Sequence, residues 1–324
     1  MKINQDKSVY PVYSFHFWKA YLVHMRPYLL FVSGIAGATG IALAEQSQEP
    51  SWKLWLMFVP FFLGYGFGQA LTDCFQTDTD KLSSPYRPLS QGIISIRSVL
   101  YTSVAGLCFS AVLLYYFHLY SFLLSIAVVF GLATYSYVKK KFWFAGPFHN
   151  AWIVALLPIM GFFAASDSDI TQFPTKYFSI IVITFFAYAN FVLIGYLKDI
   201  EADRATGYKT FPVVFGWLRT VQVGDIFALF TLLLFWNLDH KNSIELTIGL
   251  LASAVMIAGQ AHAHLSKNRT ESEATFPIVS TVRAFVLLHS ALILRFQPDW
   301  LIGLALFYLL FEMFLFVRPV RNQV

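Results

Sequence analysis

The chain has 324 residues, of which 13% are Asp, Glu, Lys or Arg and 57% are apolar, with 34 Phe, 17 Tyr and 8 Trp. A soluble domain carries roughly 25% charged residues, and this composition lacks the polar surface to cover a compact soluble fold; a soluble enzyme, a disordered chain and a secreted disulfide scaffold are excluded. The net charge of +5 fits Lys and Arg retained in cytoplasmic loops better than a nucleic-acid footprint, and what remains is an all-α, polytopic transmembrane helical bundle of nine to ten spans.

Residues 1–26 form a mixed, polar, cytoplasmic segment without the apolar stretch and small-residue cleavage site of a signal peptide. Ten continuous apolar runs follow, near 27–45, 52–72, 98–117, 120–137, 148–166, 176–197, 219–237, 244–264, 277–296 and 299–317. They do not alternate as membrane strands would. The run 277–296 carries Arg283, His289 and Arg295, residues that would line a cavity or snorkel, and it is the weakest of the ten. Cations collect in alternate loops: Lys2, Lys7, Lys19 and Arg26; Lys81, Arg87 and Arg97; Lys139, Lys140 and Lys141; Lys198, Arg204, Lys209 and Arg219; Lys267 and Arg269; Arg318 and Arg321. The turns at Glu45 to Glu49, His118, Asp167 to Asp169 and Asp239 to Lys241 are poor in them, which places both termini and the basic loops in the cytoplasm. Cys74 and Cys108 read as packing residues rather than a disulfide. The chain is expected to be one transmembrane domain, 1–324, with 299–317 as an extra C-terminal span.

Two cytoplasmic loops, 73–97 and 198–218, are long and rich in both acids and bases, as functional loops are. Each has an acidic helix end, then a basic residue, then a Pro and a Gly, a plan that suggests a degenerate internal duplication. Asp73, Gln76 and Asp80 are spaced i, i+3, i+7, with Gln69 upstream, and Asp199 and Asp203 are i, i+4; on helices each set shares one face. Two carboxylate faces beside a membrane are costly unless a cation lies between them. Mg²⁺, a hard ion that bridges carboxylates to substrate phosphates, is the natural occupant. Arg87, Lys139, Lys140, Lys198, Arg204 and Lys209 would neutralise the remaining phosphate charge. Glu271 and Glu273 are expected to cap the helix that follows them, and His262 with His264 is poorly spaced for a metal.

The stretch Thr72-Asp73-Cys74-Phe75-Gln76-Thr77-Asp78-Thr79-Asp80, with Arg87-Pro88-Leu89 and Gly92, resembles the first signature of the UbiA superfamily of intramembrane prenyltransferases, N-D-x-x-D-x-x-x-D then R-P-[IL]-x-x-G. The stretch Lys198-Asp199-Ile200-Glu201-Ala202-Asp203-Arg204, with Gly207-Tyr208-Lys209-Thr210, resembles the second. Arg26-Pro27, Tyr135-Ser136 and Asn150 are weaker echoes, Asn150 matching a substrate-binding position with helix capping as the equal alternative. Three positions depart from the family pattern: Thr72 replaces its Asn, Gln76 a central Asp, and Tyr196 the leading Asp of the second signature.

The resemblance implies a Mg²⁺-dependent transferase that moves an isoprenyl group from a polyprenyl diphosphate to a lipophilic acceptor, with an aromatic one favoured. Asp73, Asp80, Asp199 and Asp203 would be catalytic metal ligands, with Gln76 as an auxiliary one. Gln76, Arg87, Lys139, Lys140, Asn150, Tyr196, Lys198 and Lys209 would bind substrate. An apolar cavity with aromatic walls, for which Phe31, Tyr65, Phe67, Tyr135, Tyr188, Phe191 and Tyr196 are candidates, would shelter an allylic cation from water. Two other readings compete. A terpene cyclase of this superfamily would ionise the diphosphate without an external acceptor. A transporter would place its binding groups at mid-membrane, whereas these acids gather at one face.

Overall fold

The computed structural model describes residues 9–44, 51–169 and 173–318, so Lys2, Lys7, Glu45 to Glu49 and Arg321 lie outside the described residues. Thirteen α-helices and no strand occur among them: α1 (Phe15–His24), α2 (Pro27–Leu43), α3 (Ser51–Asp73), α4 (Thr77–Ser83), α5 (Ile96–Phe117), α6 (Leu119–Lys141), α7 (Ala145–Ala164), α8 (Phe178–Gly195), α9 (Ile200–Ala205), α10 (Phe211–Trp236), α11 (Ser243–Leu265), α12 (Thr275–Phe296) and α13 (Leu301–Phe316). Nine are long and apolar enough to cross a membrane, and α1 with α2, joined through a 63° bend, makes a tenth. The expected helical bundle of nine to ten spans is therefore present, and the chain is a multi-pass integral membrane protein. Helices suit this role because they satisfy their own backbone groups in lipid.

Two boundaries differ from the hydropathy reading. The seventh span begins at Phe211 rather than 219, so Arg219 is inside α10, and Gly216 breaks the regular helix with φ of 79°. The run 277–296 is not marginal: α12 is the most enclosed of the nine single-helix spans, 94% of its apolar window buried against 11% for α13. Its cations are satisfied laterally. Arg283 forks onto Glu312 of α13 through two 2.6 Å contacts, and Arg295 reaches buried Glu245 at 3.3 Å. His289 is fully buried.

Helices α2, α7, α8 and α12 form the centre, and α5, α6, α11 and α13 turn apolar side chains such as Val112, Leu250 and Ile302 outward. Small residues set the central crossing. A side chain at Gly40 would collide with the Pro158 carbonyl, and one at Gly161 with the Gly37 carbonyl, so α2 and α7 touch backbone to backbone, as membrane helices do where dispersion replaces the hydrophobic effect. Pro60 in α3 and Pro158 in α7 each remove one intrahelical bond. Between α2, α3, α5, α6, α7 and α8 lies a cavity lined by Ser33, Pro60, Tyr65, Gln69, Thr72, Tyr135, Asn150 and Tyr188 among mostly aliphatic neighbours.

Candidate active site

The first acidic loop is not one continuous helix. Helix α3 ends at Asp73, residues 74–76 form a break, and Gln76 stands at the N-cap position of the short helix α4 without a side-chain capping bond. Gln76 and Asp80 therefore do not extend the stripe of Gln69 and Asp73 by helical repeat; the break turns the chain and brings Asp80 back beside Asp73. Arginine spans the gap. Arg87 Nη1 lies 2.7 Å from Asp80 and 3.4 Å from Asp73. Arg26 Nη2 donates to Asp73 at 2.6 Å, and Gln69 Nε2 donates to the other oxygen at 2.8 Å. His24 stands 3.7 Å away. Arg26 holds this position in the left-handed region, φ 54°, which is uncommon for a residue with a side chain. Gln76 donates through Nε2 to Ser136 of α6 at 2.9 Å.

The second loop is built from a turn of 3-10 helix at Tyr196–Lys198 and the short helix α9, whose N-cap is Asp199. Asp203 is fully buried; Lys139 from α6 reaches it at 3.1 Å, and Thr210 Oγ1 donates to it at 3.0 Å. Lys198 holds Asp199 at 3.0 Å. Lys139 also sits over the rings of Tyr196 and Tyr208, at 5.2 and 5.0 Å. Glu271 does not cap its own following helix; its carboxylate accepts from the Glu201 backbone N at 2.8 Å and so caps α9 instead. Glu273 accepts from the Arg269 N–H at 2.8 Å.

The loops meet. Helix α4 packs on α9, and the Thr79 and Thr206 hydroxyls are 2.8 Å apart. Charge is felt across the join: Asp199 raises the carboxyl of Asp80 and also acts on Arg87. Burial pushes Asp80 above the usual carboxylate value of 3.8, against the pull of Arg87 and with the help of Asp73. Burial likewise raises Asp203 despite Lys139. Burial would raise Asp199 as well, but Lys198 and Lys139 outweigh it and hold this acid below 3.8.

The cavity opens beneath these groups. Gln69 and Thr72 line it and touch the Asp73 cluster. Tyr135, also on its wall, is 2.9 Å from Tyr196 through the two hydroxyls, and Tyr188 donates to Tyr65 at 3.0 Å. Of the aromatics expected there, Tyr65, Tyr135 and Tyr188 line the cavity. Phe31 packs instead on Phe307, Phe311 and Phe314 of α13. Asn150 is on the cavity wall within α7, whose N-cap is Phe144, so it is not a cap.

Asp73, Gln76, Asp80, Arg87, Lys139, Tyr196, Lys198, Asp199 and Asp203 thus gather at one end of the bundle. Lys140 and Lys209 are peripheral: Lys140 pairs with exposed Asp78 at 3.2 Å, and Lys209 is exposed with its backbone N–H on the Lys140 carbonyl. The spacing arguments missed Arg26 as an Asp73 partner, Thr210 as an Asp203 partner and the Thr79–Thr206 closure. Arg26-Pro27 and Thr210 stood within the family-like motifs, which was the signal that could have found them. Among the described residues no three metal-binding acids, cysteines or histidines form a cage; each acid is held by one or more cationic side chains. The donor set itself is all oxygen, and this chemistry fits a hard divalent cation.

The sequence pattern of the UbiA prenyltransferase family matches residues 31–290. A digeranylgeranylglyceryl phosphate synthase from Thermococcus kodakarensis is 28% identical over 214 residues, covering 66% of this chain and 75% of its own; one from Methanothrix thermoacetophila is 24% identical, covering 73% and 89%. Among solved structures, the apo form of a UbiA homolog from Aeropyrum pernix K1 superposes with a TM-score of 0.67 at 20% identity, covering 82% of this chain and 97% of that one. A UbiA homolog from Archaeoglobus fulgidus bound to GPP and Mg²⁺ gives 0.64 at 19% identity, covering 84% and 99%. At these identities the structures speak for the fold.

Proposed function

We propose, for a chain that belongs to the UbiA prenyltransferase family and is a prenyltransferase, that it transfers an isoprenyl group from a polyprenyl diphosphate to a lipophilic acceptor at the charged end of its cavity. The observation that carries this reading is the meeting of the two acidic loops above an apolar, tyrosine-walled cavity. An amphiphilic diphosphate matches both parts: its tail goes into the cavity and its head among the acids and bases. Loop charge distribution supports placing this end, and both termini, on the cytoplasmic side.

Asp73, Asp80, Asp199 and Asp203, with Gln76 as a neutral oxygen donor, would hold Mg²⁺. The ion, when bound, supplies positive charge to the leaving diphosphate. Arg87, Lys139 and Lys198 stand at the acids and supply charge-assisted donors to phosphate oxygens. Arg26 and Gln69 fix Asp73, and Thr210 fixes Asp203. The Tyr65, Tyr135 and Tyr188 rings offer their faces to the allylic cation, and the aliphatic walls keep water from quenching it. Asn150 orients substrate from the wall, and Lys140 and Lys209 draw the diphosphate inward from the rim.

The relatives' name, digeranylgeranylglyceryl phosphate synthase, makes a prenylated glycerol phosphate the first acceptor to offer and an aromatic one the second. The test is incubation of the purified protein with geranylgeranyl diphosphate and Mg²⁺, with and without acceptor, read by mass spectrometry. A prenylated acceptor with diphosphate release is expected. A cyclic hydrocarbon formed without acceptor would establish the cyclase reading instead.

A further inference from the structure

A second cavity lies at the same end of the bundle but on its flank, outside the tyrosine-walled one. Its walls come from three places: the α1–α2 bend (His24, Arg26, Tyr28), the loop after α4 (Tyr86, Arg87) and the end of α13 (Phe314, Val317, Arg318). Helix α13, like the α1–α2 bend, lies outside the family-matched residues 31–290. Among the described residues three guanidiniums and an imidazole line the cavity and no acid does.

Two of these guanidiniums use only part of their donors inward. Arg26 gives Nη2 to Asp73 and Arg87 gives Nη1 to Asp80, while the Nε of each is buried without a hydrogen-bond partner. His24 is 1% exposed, and neither ring nitrogen has a hydrogen-bond partner. Buried donors left unmet are costly and point to a missing acceptor. Arg318 adds a third positive charge at the mouth, its Nη1 on the Leu315 carbonyl.

We propose that this cavity binds the phosphate group of an anionic membrane lipid. A phosphate has the charge and the several acceptor oxygens to meet three guanidiniums. The lipid, rather than the free ion, follows from the mouth: Phe314 and Val317 are 39% and 70% exposed on a helix that faces outward along its length, so an acyl or prenyl chain can lie along α13 while the head group sits among the arginines. Basic pockets between spans at the cytoplasmic interface take lipid head groups in this way. Because Arg26 and Arg87 also hold Asp73 and Asp80, an occupant that draws on their charge loosens those carboxylates, and so couples the flank to the acidic loops.

The site is tested by binding, without turnover, so it stands or falls separately from prenyl transfer. The purified full chain in neutral detergent is titrated with dioleoyl phosphatidic acid, with phosphatidylcholine and with inorganic phosphate, and binding is read by native mass spectrometry and thermal shift. Phosphatidic acid is expected to bind and stabilise well above the other two. Arg318→Gln, which removes one charge-assisted contact, and Val317→Asp, which sets a negative charge at the mouth, should each weaken it by about tenfold, with Arg318→Lys restoring part. Equal binding of phosphatidylcholine, equal stabilisation by inorganic phosphate, or unchanged affinity in both variants would overturn the proposal. So would competitive displacement of phosphatidic acid by geranyl diphosphate, which would make the cavity part of the donor site.

Discussion

In the first acidic loop Asp73 and Asp80 are held by arginines, and in the second Asp199 and Asp203 are held by lysines. Arg87 contacts both Asp73 and Asp80 and so ties the end of α3 to α4 across the break between them. Arg26 and Gln69 take up the rest of Asp73. In the second loop the two aspartates each have their own ammonium, Lys139 on Asp203 and Lys198 on Asp199. A guanidinium is a rigid fork suited to bridging, whereas an ammonium is a point charge on a flexible stem that can move from a carboxylate to a phosphate. The first loop is therefore the frame of the site, and the second is the half with charge free to follow a substrate.

The difference can be broken most severely at the second loop. Asp203→Ala, at a position with 0% exposure, should lower Mg²⁺-dependent diphosphate release by about 10³-fold and, because it strands the buried Lys139, should also cost stability, so release is read on protein shown to be folded; activity within tenfold of wild type would remove Asp203 from the site. Arg87→Gln should act on stability as well. It strands two buried carboxylates and should cost about 3–5 kcal/mol, part of which Asp80→Asn in the same chain recovers; chemical denaturation in detergent would measure both.

Gln76→Asp sharpens the comparison, since it returns to the first loop the carboxylate that the family pattern has there. Half-saturation by Mg²⁺ should fall by about tenfold, because ligand charge tunes affinity for hard cations, and an unchanged titration would place Gln76 outside the ligand set. Acidity tests the same groups. Asp80 and Asp203 are raised above 3.8, so their contribution to ligand-free stability is complete below that value and is lost as pH rises through the raised ones. A bound cation must expel those protons. The thermal shift given by Mg²⁺ should thus shrink on acidification while pH is still above 3.8, whereas Asp199, held low by Lys198 and Lys139, stays ionised; a shift constant down to that pH would contradict this. The smallest effect belongs to the rim: Lys140→Ala breaks an exposed pair with Asp78 and should change stability by less than about 1 kcal/mol and activity by about twofold, read in the same assays.

Hydropathy and charge alone determined the material of this protein. Ten long apolar runs must become membrane helices because lipid offers backbone groups no other partner, and acids left at the ends of such runs must find cations; both statements follow from residue identity. Asp73, Asp80, Asp199 and Asp203 were legible for that reason. The break at residues 74–76 was not, nor were the reach of Arg26 to Asp73 and the capping of α9 by Glu271, because these two depend on a partner far along the chain. Nor could sequence say which spans are central. In lipid an apolar side chain is equally welcome against a neighbour or a bilayer tail, so periodicity does not separate α12, 94% buried, from α13, 11% buried. Only tertiary packing decided that, and with it where the cavities lie and which charges face them.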